Sequence, residues 1–151
     1  MSELIYSMAA PLFDRLADHA AETGSGNLRT LDAVQGSIAR ELHRLFNTRS
    51  SLDLSDYAHG DSTVLEYGIP DFSALSAQDA LGMKRFQSAL LLAVERYEPR
   101  LSDVAVSVVP TRHRYDFAQV HISAQARVGV ELQRVDFEML LGEPGGLVKI
   151  V

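Results

Sequence analysis

Cysteine is absent from this 151-residue chain. The chain therefore has no disulfide scaffold, no thiolate nucleophile and no zinc site that depends on sulfur ligands. A chain without cysteine also fits the reducing environment of the cytosol.

Long basic runs and long apolar runs are missing as well. The formal net charge is -6, and no basic run is present to bind a phosphate backbone by charge, so we expect no nucleic-acid partner. No apolar run approaches the ~20 residues of a membrane span, and the first six residues lack the basic start and apolar core of a signal peptide. These features predict a cytoplasmic protein with no membrane insertion.

The length favours one domain over residues 1–151, because 46% hydrophobic residues in one unit bury a sizeable core and two units would each be small. A glycine- and serine-rich break at residues 23–27 interrupts the pattern. Its glycines are too closely spaced for a phosphate loop, and no lysine follows them. We interpret it as a linker, which makes about residues 1–29 an arm that either docks on the domain or stays flexible.

Two helices are predicted before Pro99. Thr30 or Asp32 can cap the first helix, whose apolar stripe consists of Leu31, Val34, Ile38, Leu42, Leu45 and Phe46. A pattern resembling a capping box at residues 76–79, starting at Ser76, opens the second helix. Its apolar positions recur every three or four residues at Met83, Phe86, Leu90, Val94 and Tyr97. Residues 52–61 between the helices are predicted to form a surface loop, and residues 64–72 a tightly packed turn.

After Pro99 the apolar period changes from helical to two. Residues 104–108 and 120–124 alternate as the strands of an antiparallel hairpin. The phase changes again further on, which predicts a bend or bulge near Gln133 and Arg134 and a third strand over about residues 135–141. Residues 147–151 form a candidate short edge strand.

This order of elements predicts an α+β fold, with N-terminal helices packed on one face of a small antiparallel β-sheet built from the C-terminal half. The outer strands of such a sheet have unpaired backbone groups. Edges of this kind are protected, or they take up a strand from a partner.

Evidence for catalysis in the sequence is weak. Glu95 and Glu98 lie three residues apart on one helix face, and paired carboxylates are what a glycoside hydrolase uses. Carboxylates of that kind face each other across a cleft, however, whereas these point the same way, so salt bridging or partner contact is favoured. The histidines show no metal-ligand spacing, and the tip at Arg112, His113 and Arg114 is a solvated turn or a contact for an acidic partner. We predict no catalytic residues, no metal, no cofactor and no small-molecule substrate.

Four motifs resemble a known family in their order and spacing. Together they are similar to TssE, the baseplate subunit of type VI secretion systems, and to the small wedge protein of contractile-phage baseplates. The resemblance covers about residues 4–141, and its best marker is the Glu-Pro-Arg triplet. The motifs are PLFDRL at residues 11–16, LHRLFNTR at 42–49, LEYGIPD at 65–71 and YEPRL at 97–101.

The resemblance implies a structural protein of the baseplate wedge that binds the baseplate subunits TssF and TssG, with TssK as a further candidate. It also implies a position under the first ring of the TssB/TssC sheath, with a sheet edge where sheath polymerisation starts. Glu98, Pro99 and Arg100 carry over as partner-binding residues. On this interpretation, replacing Glu98 or Arg100 leaves the isolated domain folded but stops sheath assembly. The family's lysozyme-like label supplies the alternative, a peptidoglycan-cleaving glycosidase that uses Glu95 and Glu98.

Overall fold

The elements follow one another in the predicted order of helices and then strands. A computed structural model of the chain describes residues 8–9, 11, 27–28, 30–61, 63–76, 78–111, 118–142 and 148–150. The helices are α1 (Leu31–Phe46) and α2 (Ala80–Tyr97), and the strands are β1 (Met8–Ala9), β2 (Asn27–Leu28), β3 (Leu101–Pro110), β4 (Ala118–Val128), β5 (Glu131–Leu141) and β6 (Val148–Ile150). The predicted α+β fold is confirmed.

Helix α1 begins where the sequence predicts and buries the predicted stripe. The Thr30 hydroxyl accepts a hydrogen bond from the Ala33 amide at 3.2 Å, so Thr30 is the N-cap. Val34, Ile38 and Leu42 are completely buried. The polar side chain of Ser37 is buried among them, which the stripe does not predict.

The N-cap of helix α2 lies three residues later than predicted. Asp79, and not Ser76, is the N-cap, because its carboxylate accepts a hydrogen bond from the Gly82 amide at 2.9 Å. Ser76 instead closes the turn that leads into the helix, where its carbonyl accepts from the Asp79 amide at 3.0 Å. Two candidate caps stand three residues apart in this segment, and the one directly before the first helical residue is used.

The main sheet has the strand order β3-β4-β5-β6, and its three described pairings are antiparallel. The predicted hairpin is confirmed, with Val106 opposite Ile122. The predicted bulge near Gln133 is wrong, because β4 and β5 pair without interruption and the change of phase is the two-residue turn between them. The irregular position lies in β3 between Ser102 and Ala105.

One face of this sheet packs against the helices and forms the core. The residues that share this face are buried and directly cross-paired, for example Ile122 with Phe137. The core between sheet and helices includes Val34, Ile38, Leu42, Phe46, Phe86, Leu90, Val94, Val106, Val120, Ile122, Val135, Phe137 and Met139. The opposite face is mainly polar: His121 is exposed, as predicted, and lies 3.7 Å from a carboxylate oxygen of Asp136.

The segment between the helices is packed more tightly than a surface loop. Tyr57 lies in the short 3-10 helix Tyr57–His59, is almost completely buried, and donates a hydrogen bond from its hydroxyl to the Gly68 carbonyl at 2.6 Å. Gly68 has φ +122°, and a Cβ there would lie 2.6 Å from the Thr48 carbonyl oxygen. Ile69, next to it, is buried. The prediction of a surface loop over residues 52–61 is therefore wrong at Tyr57, and the packed turn over 64–72 is confirmed around Gly68.

Some sequence predictions fall outside the described residues. The basic tip at Arg112, His113 and Arg114 is among them. Most of the predicted arm over residues 1–29 is also outside, apart from β1, Pro11 and β2, and the paired strands β1 and β2 form a separate two-stranded sheet.

Tyr57→Phe tests the anchoring of this segment. We expect the free energy of unfolding at pH 7 to fall by about 1–3 kcal/mol, because the buried Gly68 carbonyl loses its donor. Burial also raises the pKa of Tyr57. In the unfolded chain the Tyr57 hydroxyl releases its proton near pH 10, whereas in the folded protein it retains the proton to higher pH. The contribution of Tyr57 to the free energy of unfolding is therefore complete below about pH 10 and is lost as the pH rises further.

Urea denaturation at pH 7 and between pH 9 and 11 measures both effects. Tyr97→Phe is the matched control, because the Tyr97 hydroxyl makes only a 3.4 Å, exposed hydrogen bond to the Thr63 carbonyl. Equal losses of stability in the two variants would contradict the anchoring role of Tyr57.

Candidate functional site

The Glu-Pro-Arg triplet forms a sharp connection between α2 and β3. Helix α2 ends at Tyr97, and the Glu98 amide still donates to the Val94 carbonyl at 2.9 Å. Pro99 cannot donate a backbone hydrogen bond and disfavours helical geometry at Glu98. The Leu101 amide then donates to the Glu98 carbonyl at 3.1 Å, and β3 begins at that residue. We call residues 98–100 the corner.

The two charged side chains of the corner bind each other. Both oxygens of the Glu98 carboxylate accept from the Arg100 guanidinium, Oε1 from Nε at 2.6 Å and Oε2 from Nη2 at 2.6 Å. Glu98 is only 3% exposed and the Arg100 side chain 12%. This bidentate geometry is the strongest form of a carboxylate–guanidinium pair, and it supplies the counter-charge that a buried carboxylate needs.

A third residue extends this pair to the first helix. Arg100 Nη1 donates to the Ser37 hydroxyl at 2.8 Å, and Ser37 is completely buried on α1. The corner therefore connects α1 to the junction of α2 and β3. Sequence analysis missed Ser37, although a serine inside an apolar helix stripe is itself a signal, because a buried hydroxyl needs a hydrogen-bond partner.

The residues of the corner differ in their exposure to a partner. Pro99 is exposed, whereas Glu98 is buried. The predicted partner-binding role of Glu98, Pro99 and Arg100 stays a prediction. Its corollary, that the isolated domain tolerates loss of Glu98 or Arg100, conflicts with the burial of their ion pair.

The geometry also bears on the glycosidase alternative. Glu95 is exposed on α2 and borders a shallow groove with Leu54, Leu92 and Lys84. Glu98 points elsewhere, since both of its oxygens are bound to Arg100. The two carboxylates are therefore not arranged as an acid and base on either side of a substrate. Among the described residues, no group of three or more histidine and acidic side chains converges on a possible metal position.

The β3 edge of the sheet is partly covered by α2. The Val108 amide donates to the side-chain carbonyl of Gln87 at 3.3 Å, which shows that this amide points away from β4. Gln87 lies on α2, so a helix side chain occupies a position where an added strand would bind. The bulge at residues 102–105 adds a second irregularity to this edge, where Asp103 has φ +51°.

The β5 edge differs from the β3 edge. In the part of the sheet that the structure describes, β6 pairs only with Phe137–Met139 of β5. The two-residue turn at 129–130 places Val128 and Glu131 as its closing hydrogen-bonded pair. Because such pairs alternate along antiparallel strands, the amides of Arg134 and Asp136 point away from β4. These backbone groups face outward beside the end of β6.

Charged side chains mark this stretch of β5. Arg134 Nε donates to Asp136 at 3.1 Å, and this hydrogen bond is the main cause of a lowered pKa at Asp136. Arg134 is 75% exposed. Charges on an edge strand discourage non-specific strand pairing, so any strand added here has to accommodate this pair.

Arg100→Ala tests the buried ion pair of the corner. Leaving the Glu98 carboxylate buried and unpaired is expected to lower the free energy of unfolding by about 3–5 kcal/mol. The double variant Glu98→Gln/Arg100→Met is expected to lose less, because no uncompensated charge remains. Urea denaturation curves of the purified variants measure both changes.

Arg134→Ala is the control for this comparison, since it removes an arginine from an exposed ion pair worth at most about 1 kcal/mol. An Arg100→Ala variant no less stable than Arg134→Ala would contradict a structural role of the corner.

Comparisons with known proteins agree with this architecture. A chain in a solved structure described as "The baseplate complex from the type VI secretion system" shares the fold, with a TM-score of 0.53 and 18% sequence identity. The match covers 74% of the present chain and 97% of the other. No curated protein sequence matches. In the described residues, no helix is long and apolar enough to cross a membrane.

A family model covers three of the four motifs, those at residues 42–49, 65–71 and 97–101, and the motif at residues 11–16 lies outside its match. The model described as "Baseplate wedge protein gp25" matches residues 32–131, which is more than half of the chain and includes α2, the corner and α1 except for its first residue. The resemblance to baseplate wedge proteins is confirmed, and this chain belongs to the gp25 family of baseplate wedge proteins.

Proposed function

We propose that this chain is the TssE-type structural subunit of a type VI secretion baseplate and that it helps to start polymerisation of the contractile sheath. The observation that carries the proposal is the shared fold with a chain of such a baseplate complex, over nearly the whole of that chain. Membership of the wedge family supports the same role. The partners are then the other baseplate subunits and the sheath proteins, the site of action is cytoplasmic, and the protein has no enzymatic activity.

In this proposal the sheath proteins bind by adding a strand on the β5 side of the sheet. The argument is a comparison of the two edges. On β3, Gln87 already binds the Val108 amide. On β5, the amides of Arg134 and Asp136 point outward, and the described residues of β6 pair with residues further along the strand. An added strand forms main-chain hydrogen bonds with groups of this kind.

The corner has an indirect part in this proposal. Glu98 and Arg100 hold the start of β3 against α1 through Ser37, and so they fix how the helices cover one face of the sheet. A rigid sheet binds an added strand at a lower entropic cost than a mobile one. Pro99, which is exposed, is the corner residue that contacts a neighbouring subunit.

Arg134→Pro tests the β5 edge. Proline removes the outward amide of residue 134 but no ladder hydrogen bond to β4. We expect fluorescent sheath subunits to form no sheaths in cells that carry this variant. Arg134→Ala is the matched control, since it loses the same side chain and keeps the amide, and it is expected to support normal assembly.

The folded state of each variant is checked by its thermal midpoint. If Arg134→Pro does not fold, Leu132→Pro and Leu132→Ala repeat the comparison at the next outward amide. Normal sheath assembly with a folded proline variant would rule out the β5 edge.

A further inference from the structure

Two neighbouring apolar side chains protrude from the loop between the helices. Val64 is 89% exposed and Leu65 is 83% exposed, which makes them the most exposed large apolar side chains that the structure describes. Both lie in the short 3-10 helix Val64–Glu66. We call them the Val64–Leu65 pair. Exposing two adjacent aliphatic groups to water is unfavourable, and contiguous exposed apolar surface often marks an interaction site.

Side-chain hydrogen bonds hold the backbone of the turn that carries this pair. The Ser50 hydroxyl donates to the Glu66 carbonyl at 2.8 Å, and the Ser51 hydroxyl donates to the Leu65 carbonyl at 3.2 Å. The Thr63 amide donates to the Glu66 carboxylate at 3.3 Å, and the Tyr97 hydroxyl donates to the Thr63 carbonyl at 3.4 Å. The 3-10 turn is therefore held mainly to the segment after α1, with a weaker contact to α2.

The chain beyond the pair turns directly into the core. The Tyr67 ring packs edge-on against the Tyr97 ring, with 5.1 Å between centroids. Gly68 and Ile69 are buried, and close contact of Gly68 with the Thr48 carbonyl leaves no space for a Cβ. The Val64–Leu65 pair thus stands outside on a preorganised turn. A preorganised contact loses little conformational entropy on binding.

The segment that carries the pair is acidic, which favours one kind of partner. Residues 52–66 contain four acidic residues and no lysine or arginine. Asp53, Asp56 and Asp61 are exposed, and hydrogen bonds from Ser55 and Asp56 lower the pKa of Asp53. Arg96, which contacts this segment from α2, donates to the Tyr57 carbonyl. A second copy of the chain would bring two acidic segments together, whereas a surface with lysine or arginine residues complements them.

We infer that the Val64–Leu65 pair is a docking contact for another baseplate protein, which receives it in an apolar pocket bordered by basic residues. This inference rests on the proposed function for the existence of such a partner. It adds a second interaction surface, separate from the sheet edge that takes part in strand addition. Apolar contacts at the centre and charges at the rim are the usual arrangement of a protein interface.

The experiment measures binding of the purified full-length chain to the remaining baseplate subunits of the same system, purified together as a complex without this chain. Biolayer interferometry gives the dissociation constant. We expect Val64→Ala/Leu65→Ala to weaken binding roughly ten- to a hundredfold. Leu81→Ala/Val109→Ala is the matched control, because these side chains are 60% and 58% exposed and neither lies on β5 or in the loop that carries the pair, and it is expected to change binding by less than about twofold.

A charge variant tests the chemistry of the pocket. Asp61→Lys is expected to weaken binding and to reduce its dependence on salt, since it reverses one of the acidic charges. Thermal midpoints of all variants are compared with the wild type. Because these side chains are exposed, the substitutions are expected to leave folding unchanged.

The outcomes separate this inference from the proposed function. Binding by the wild type with no weakening in Val64→Ala/Leu65→Ala overturns the docking contact alone. No binding by the wild type overturns the proposed function, and the docking contact with it. A wild-type dimer in analytical ultracentrifugation that Val64→Ala/Leu65→Ala converts to a monomer also overturns the inference, because it identifies a second copy as the occupant.

Discussion

The buried ion pair between Glu98 and Arg100 is the interaction on which the arrangement of helices and sheet depends. A carboxylate that is 3% exposed persists as an ion only where a cation and hydrogen bonds compensate for the lost water. Arg100 supplies both, and its remaining nitrogen reaches Ser37 on α1. One guanidinium therefore connects the end of α2, the start of β3 and the face of α1. The proline between the two charged residues sets the turn that lets them meet.

The two edges of the sheet follow from this arrangement. Helix α2 runs back beside β3 because the corner is so short, and Gln87 then reaches the Val108 amide. The opposite side has no equivalent contact along Arg134 and Asp136 in the described part of the chain. A subunit that receives one strand benefits from such asymmetry, since a second reactive edge is a site for aggregation. In the proposed function, packing of the helix thus directs assembly to one side.

The same ion pair explains the role of Glu98 in this structure. Paired glutamates on a helix suggest hydrolysis, but Glu98 uses both oxygens to bind Arg100, and Glu95 stays in solvent. The chemistry available at the corner is therefore ionic pairing. Val64 and Leu65, which are exposed, lie on another loop, so the surfaces proposed for sheath and baseplate partners are separate.

The sequence alone determined the α+β fold, the buried stripe of α1, the first hairpin and the wedge family, because apolar periodicity and short motifs act over a few residues. It misplaced the cap of α2, since two capping residues lie in one segment, and it missed the burial of Tyr57 in a polar stretch. The tertiary structure decided that Glu98 and Arg100 bind each other, that Ser37 joins them from 63 positions away, and that Gln87 covers β3. These contacts depend on how the helices pack on the sheet, and no local pattern encodes that packing.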